Sequence, residues 1–191
     1  MRRVRIEWVN RQGEPLPLDP WPIVFAAAGG LVVAVLLFGV LDVFRWKPKP
    51  VAPERVWRQV EKTTANSPID PLLVYQICHA ESSLDAHARS AVARGMMQLT
   101  REAWREAKGG FYGGALRWKK NIEVGVRYLE FCRATLPPDR RDDPRYLSAA
   151  YRFGPYRLAE KAGVLANLPP VRNEIYRALI HEGRYPLEPP D

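Results

Sequence analysis

One acidic residue stands at the end of a strongly apolar segment. Glu81 follows the stretch Ile69–Ala80, in which Asp70-Pro71 is a typical helix start and most later residues are apolar. A polar turn comes next, and the chain continues through Gly95–Gln98. The C-terminal end of a helix disfavours negative charge and therefore favours a protonated carboxyl group. Glu81 is thus a candidate general acid whose pKa the surroundings would raise.

The other polar residues around Glu81 suggest less chemistry. Taken alone, Glu81 is more readily explained as a residue that caps its helix or forms a salt bridge, because most glutamates are solvated. Asp85 is expected to be a turn residue rather than a partner acid. His79 and His87 lie eight residues apart without a third ligand at a suitable spacing, so no metal site is predicted. The sequence contains no phosphate-binding loop or nucleophilic triad, and no cofactor is predicted.

Prolines and capping residues divide the chain beyond residue 53 into short helices. No alternating strand pattern of useful length interrupts them, so the fold class is predicted to be all-α, with about seven helices in one compact domain. The expected helices are Pro53 to about Thr64, Asp70 to Glu81, Arg101–Lys108, one capped by Asn121, Asp143 to about Phe153, one ending near Lys161, and Val171–Glu182.

The N-terminal part of the chain contains a long apolar segment. Ile23–Phe44 is apolar apart from Asp42, and at about 1.5 Å per residue it would extend roughly 33 Å, enough to cross a bilayer core. Trp21 and Trp46 flank it, as interfacial aromatic residues do. It is too long for a signal-peptide core, and no cleavage site follows it. We predict a single transmembrane signal anchor that contacts the lipid bilayer through residues 23–44.

The chain has a formal net charge of +8. All of the excess positive charge lies beyond Phe44, because the basic and acidic residues of the segment that ends there are equal in number. Basic surfaces suit nucleic acid, anionic membranes or anionic polymers, but without clustered Lys/Arg runs or a nucleic-acid motif no nucleic-acid partner is expected. Basic residues lie on both sides of the span and leave its orientation open. Ala26, Gly30 and Ala34 would allow two spans to pair, so a homodimer is one alternative.

Four short motifs follow one another in the predicted helical domain. They are Glu81-Ser82-Ser83-Leu84, Gly95-Met96-Met97-Gln98-Leu99 after Ser90, Asn121-Ile122-Glu123-Val124-Gly125-Val126-Arg127-Tyr128-Leu129, and Ala149-Ala150-Tyr151-Arg152-Phe153-Gly154-Pro155. In this order they resemble the motifs of the lytic transglycosylases with a goose-type-lysozyme-like fold (transglycosylase SLT domain). The resemblance covers roughly Pro53–Glu182, with departures at Val92, where glycine is usual, and at Arg152, where asparagine is usual.

This resemblance implies a peptidoglycan lytic transglycosylase that cleaves the MurNAc–GlcNAc β-1,4 bond and leaves 1,6-anhydroMurNAc ends. Glu81 would protonate the glycosidic oxygen and then accept the proton of the muramoyl 6-hydroxyl as it attacks the anomeric carbon. Because the nucleophile is part of the substrate, one carboxylate would suffice where most glycoside hydrolases need two. The implied substrate-binding residues are Ser82, Met97, Gln98, Tyr151 and Tyr176. Core packing is an equally good interpretation at Met97 and Tyr176.

Substrate location then decides the orientation. Peptidoglycan lies outside the cytoplasmic membrane, so we expect a single-pass inner-membrane protein with its catalytic domain on the periplasmic or cell-wall side. The expected organisation is a cytoplasmic tail at 1–20, a signal anchor at 21–46, a proline-rich linker at 47–53, the lytic transglycosylase-like domain at 54–185 and a C-terminal tail at 186–191.

Several alternatives stay open from the sequence. A lysozyme-type hydrolase on the same fold, or a non-catalytic membrane-anchored glycan-binding or assembly factor, would share these motifs. Cys78 and Cys132 would form a disulfide or remain two buried thiols. Cleavage at chain ends or within strands, and any cell-envelope partner, are not decided by the sequence.

Overall fold

The computed structural model describes residues 50–161 and 163–190. The predicted cytoplasmic tail, the signal anchor and most of the linker lie outside these residues. Within the described ranges, no helix is both long enough and apolar enough to cross a membrane.

The described chain is mainly helical, which confirms the predicted class. Its α-helices, in chain order, are α1 (Pro53–Thr64), α2 (Pro71–Ser82), α3 (Arg101–Glu106), α4 (Trp118–Thr135), α5 (Pro144–Phe153), α6 (Pro155–Glu160) and α7 (Glu174–Arg177). A π-helical turn, Ala178–Glu182, continues α7, and 3-10 turns occur at Tyr112–Leu116 and Leu165–Asn167. Two-residue strands, β1 (Ala93–Arg94) and β2 (Leu99–Thr100), form an antiparallel hairpin that pairs Ala93 with Thr100.

Local cap chemistry explains the helix starts that the sequence predicted correctly. The Asp70 carboxylate accepts a hydrogen bond from the Leu72 N–H at 2.8 Å, and a proline follows at the first helical position of α2. Asp143 begins α5 with the same arrangement. Thr100 caps α3 through the Ala103 N–H at 3.2 Å.

Two predicted helix starts were wrong. Asn121 does not cap α4, which begins three residues earlier at Trp118 and contains Asn121 as a buried interior residue. The last helix begins at Glu174 rather than Val171, because the Asn173 side chain accepts a hydrogen bond from the Tyr176 N–H and fixes the start there.

The apolar α2 lies in the centre of the domain. Leu73, Val74 and Ile77 are fully buried, as are Ile122 and Leu129 on α4. Burying a side chain of this size contributes about 1.5–3 kcal/mol. This core fixes the position of the carboxyl end of α2, where Glu81 lies.

The two cysteines are buried free thiols in this core. Burial raises the pKa of the Cys78 thiol, and burial raises that of Cys132 to about 12 against an opposing contact from Tyr128. Both sulfurs are therefore uncharged packing atoms, one of the two interpretations that the sequence left open.

Candidate active site

Glu81 lies in the last turn of α2, where the chain reverses direction. Ser83 and Leu84 both adopt left-handed backbone conformations, with φ of 51° and 64°, and so end the helix abruptly. The Glu81 side chain is only 11 % exposed and lines a groove of about 900 Å³. The helix end therefore presents one nearly buried carboxyl group to an open cleft.

A tyrosine from the end of the domain holds this carboxyl group. The Tyr176 hydroxyl donates a hydrogen bond to Glu81 Oε1 at 2.7 Å, and the tyrosine side chain is almost completely buried. Asn173, one turn earlier, donates from Nδ2 to the Ala80 carbonyl at 3.0 Å. These two contacts join the start of α7 to the end of α2 and fix the orientation of Glu81.

An arginine approaches the same oxygen from α5. Arg152 Nη1 lies 3.6 Å from Glu81 Oε1, and its guanidinium carbon lies 5.5 Å from the ring centroid of Tyr176. The Arg152 side chain is 47 % exposed, so this charge borders both the buried carboxyl group and the open groove.

The pKa of Glu81 reflects three influences. Burial, the largest, raises it above the ordinary value, whereas the Tyr176 hydrogen bond and the positive charge of Arg152 lower it. The net effect is a raised pKa, so a larger fraction of Glu81 is protonated near neutral pH than for an exposed glutamate. The pKa values of the Tyr151 and Tyr176 hydroxyls are raised well above the usual range, first by burial and then by Glu81, which keeps both as neutral donors.

The loop that carries Gln98 is held by one buried amide. Asn121 Oδ1 accepts a hydrogen bond from the Met97 N–H at 2.7 Å, and its Nδ2 donates to the carbonyls of Arg94 and Ala115 at 3.1 and 2.9 Å. Gly95 lies beside this amide with φ of +81°. The interior position of Asn121 in α4 thus serves to shape the loop that carries Gln98.

Gln98 and Tyr151 line the same groove as Glu81. Gln98 adopts φ of 43°, donates from Nε2 to the Gly95 carbonyl at 2.8 Å and lines the groove. The Tyr151 hydroxyl donates to the Met97 carbonyl at 2.6 Å, while the residue also lines the groove. Both side chains stiffen the loop from within the domain.

The predicted site residues are therefore only partly brought together. Glu81, Gln98 and Tyr151 line the groove, and Tyr176 supports Glu81 from the interior. Ser82 instead donates to the Cys78 carbonyl inside α2 at 3.2 Å. The Met97 side chain does not line the groove. It is fully buried, the core-packing alternative that the sequence left open, because it fills the space that Gly125 leaves on α4, and only its backbone faces Tyr151.

Three residues that shape the site were not predicted from the sequence. Arg152 was noted only as a departure from a motif, Asn121 was taken as a helix cap, and Asn173 was not singled out. A polar residue directly before Glu174 was the available signal for the cap at Asn173. Across the described residues, no group of three or more His, Cys, Asp and Glu side chains could hold a metal ion.

Comparison with known proteins identifies the domain. A family model described as Transglycosylase SLT domain matches residues 58–164, more than half of the 191-residue chain. The matched segment includes Glu81, Gln98, Tyr151 and Arg152 and stops before Tyr176. Neither the curated proteins nor the solved structures compared with the chain gave a match. The chain belongs to the transglycosylase SLT domain family, and its function is of the lytic transglycosylase type, which cleaves peptidoglycan.

Proposed function

We propose that the protein is a membrane-anchored lytic transglycosylase in which Glu81 is the single catalytic acid and base. The observation that carries this proposal is the nearly buried Glu81 carboxyl group, hydrogen-bonded by Tyr176 at the wall of a groove in an SLT domain. Gln98 and Tyr151, on the same groove, are the residues we expect to contact the glycan.

The first step uses the protonated form of Glu81. Its carboxyl O–H donates the proton to the oxygen that joins C1 of MurNAc to C4 of GlcNAc. The C1–O bond breaks with its electron pair on that oxygen, and the GlcNAc end leaves with a free 4-hydroxyl. Burial favours the protonated acid needed here, because it disfavours the carboxylate.

The second step uses the carboxylate that remains. Glu81 takes the proton of the muramoyl 6-hydroxyl. The oxygen of that hydroxyl bonds to C1 at the same time, which closes a 1,6-anhydro ring. No water is consumed, and Glu81 ends in its starting protonation state. The Tyr176 hydroxyl and the Arg152 charge stabilise the carboxylate between the two steps, so the same contacts that lower the pKa of Glu81 support the reaction midway.

Asp85 is a poor second carboxylate for this groove. Its Oδ1 accepts a hydrogen bond from the His87 N–H at 3.0 Å, an arrangement typical of a turn, and its backbone pairs with Pro50.

Glu102, Glu106 and Glu160 line the groove on α3 and α6. Glu102, an exposed glutamate on the same groove, therefore supplies a control for Glu81.

The location is proposed from the sequence. The apolar residues 23–44 would anchor the chain in the inner membrane, with the catalytic domain on the periplasmic or cell-wall side where peptidoglycan lies. In intact spheroplasts, protease added outside is expected to digest the domain. Protection of the domain until the membrane is broken would contradict this orientation.

Turnover of purified sacculi by the full chain in mild detergent tests the role of Glu81. The change Glu81→Gln keeps the size of the side chain and removes its acid, so we expect turnover to fall by about 10²–10⁴-fold. Glu102→Gln should stay within a few-fold of the unaltered protein. Equal product from Glu81→Gln would end the assignment, and loss of activity in Glu102→Gln as well would indicate a two-carboxylate hydrolase.

A further inference from the structure

Arg152 has an unusual position for a positively charged residue. Its guanidinium group lies against a glutamate that must be protonated for the first chemical step, with Nη1 3.6 Å from Glu81 Oε1. The side chain is 47 % exposed, and the residue lines the groove. The arginine therefore lies where the sugar served by Glu81 would bind.

Arg152 has a hydrogen-bonding capacity that no residue of the described ranges uses. A guanidinium group has five N–H donors in a planar fork, and within the described chain none of those of Arg152 makes a hydrogen bond. Its contacts there are the ion pair with Glu81 and the face of the Tyr176 ring. Such a fork binds a carboxylate through two parallel hydrogen bonds, which is the geometry at which arginine is most effective.

The reaction itself removes the partner that Arg152 has in the free protein. When Glu81 is protonated for proton donation, its attraction for the guanidinium is lost, and the positive charge is left at the groove wall. The muramoyl ring whose C1 is attacked carries a lactyl ether on the same ring. That lactyl group ends in a carboxylate when the strand has no stem peptide, and in an uncharged amide when a peptide is attached.

We propose that Arg152 is a specificity-determining residue that binds the lactyl carboxylate of the muramoyl residue being cleaved. This inference rests on the proposed function. The enzyme would then prefer glycan strands without stem peptides, and the reaction that supplies its substrate would be hydrolysis of the amide bond between the lactyl group and the peptide.

Other arginines on the groove are less suited to this role. Arg105 lies on α3 with its Nη2 4.0 Å from Glu106 Oε1, and Arg157 lies on α6. Among the described residues, only Arg152 has an ion-pair contact with Glu81. Arg157 is a useful control, because it shares the groove and the charge without that contact.

Three substrates separate the effect of the lactyl charge from that of the bulk of the stem peptide. They are strands with stem peptides, strands freed of peptides by an amidase, and freed strands whose lactyl carboxylates have been converted to methylamides. For the full chain in mild detergent we expect kcat/KM to be about ten- to hundredfold higher on the freed strands than on the other two, as a charge-assisted hydrogen-bonded pair would give. Arg152→Met should bring these ratios to about one, and Arg157→Met should leave them unchanged.

A binding measurement makes the test independent of turnover. In Glu81→Gln the uncharged side chain imitates the protonated acid, so this variant should retain freed strands about tenfold better than methylamide strands. Adding Arg152→Met should remove that difference.

Several results would overturn the inference. Equal kcat/KM on freed and peptide-bearing strands, or on freed and methylamide strands, would do so, as would an unchanged preference in Arg152→Met. A preference for peptide-bearing strands that depends on Arg152 would mean that a peptide carboxylate is bound instead. Absence of product from the unaltered protein on all three substrates would contradict the proposed function rather than this specificity.

Discussion

The proton on Glu81 is controlled by groups that act in opposite directions. The interior around the end of α2 favours the neutral acid, whereas the Tyr176 hydroxyl and the Arg152 guanidinium favour the carboxylate. The proposed reaction needs both forms in turn, because Glu81 would act first as the acid and then as the base. A deeply buried glutamate without these partners would hold its proton too firmly to release it in each cycle.

This balance predicts a pH profile. Activity should fall as pH rises through the Glu81 pKa, because the first step needs the protonated acid. Tyr176→Phe and Arg152→Met each remove a contact that lowers this pKa, so in both variants the alkaline limb of kcat/KM should move to higher pH. The other titratable groups that interact with Glu81, Tyr151 and Cys78, have raised pKa values and stay uncharged over this range.

The measurement is kcat/KM against pH on methylamide strands, which carry no lactyl charge of their own. Arg157→Met serves as the control and should leave the limb in place. A limb that moves to lower pH in either Tyr176→Phe or Arg152→Met would show that these residues do not act on the Glu81 proton in the way described.

Single residues differed in how far the sequence could place them. Glu81 was predictable because its helix start, its apolar neighbours and its position at the helix end are all local features. The contact between Arg152 and Glu81 was not, because it depends on how α5 packs beside α2. Met97 shows the same limit: the motif marks the position, but only the packing against Gly125 decides that the side chain points inward.

At the scale of elements, the hairpin loop between β1 and β2 depends on the helices behind it. Asn121 reaches from α4 to satisfy three backbone groups, two of them in the hairpin, and Tyr151 reaches from α5 to a fourth. Helix starts with an aspartate and a proline are encoded within two residues and were predicted correctly. The two-residue strands and the interior role of Asn121 are tertiary features without a sequence period of their own.

Gly95 provides a test of this arrangement. A Cβ atom at Gly95 would lie 2.1 Å from the Ala115 carbonyl oxygen and 2.3 Å from Asn121 Nδ2, in addition to the strain of φ +81°. Gly110 has nearly the same φ, +78°, with no neighbouring atom within 4 Å of an added Cβ. We expect Gly110→Ala to cost about 1–2 kcal/mol from the left-handed backbone alone.

Gly95→Ala should cost at least about 1–3 kcal/mol more than Gly110→Ala, because the overlap forces backbone and buried amide apart. It should also reduce activity, since Gln98 moves with the loop. The free energy of unfolding in urea measures the first effect, and turnover of sacculi the second. Similar unfolding free energies for the two variants would mean that the loop does not need this close contact.

At the scale of the whole molecule, the segment leading into the domain is attached close to the site. Pro50 forms an antiparallel bridge with Asp85, and the Val51 N–H donates to the Leu84 carbonyl at 3.0 Å. Val51 is also half-buried against the core. The end of the predicted linker therefore contacts the turn that directly follows Glu81.

This attachment predicts different behaviour for two fragments. A fragment that begins at Pro50 should fold and cleave glycan, whereas one that begins at Pro53 loses the Val51 hydrogen bond, worth about 0.5–1.5 kcal/mol, together with the burial of its side chain. We expect its Tm to be lower by several degrees, at roughly 2–8 °C per kcal/mol for domains of this size range. Thermal unfolding measures this difference. Identical Tm values and activities would show that residues 50–52 contribute nothing to the site.

Formation of 1,6-anhydro ends by a single glutamate is the central claim for the molecule as a whole. Product masses from sacculi digested in water labelled with heavy oxygen test it most directly. The unaltered protein should release muramoyl ends that are one water lighter than hydrolysed ends and contain no label, and Glu81→Gln should release almost none. Labelled reducing ends, or equal product from Glu81→Gln, would contradict the account.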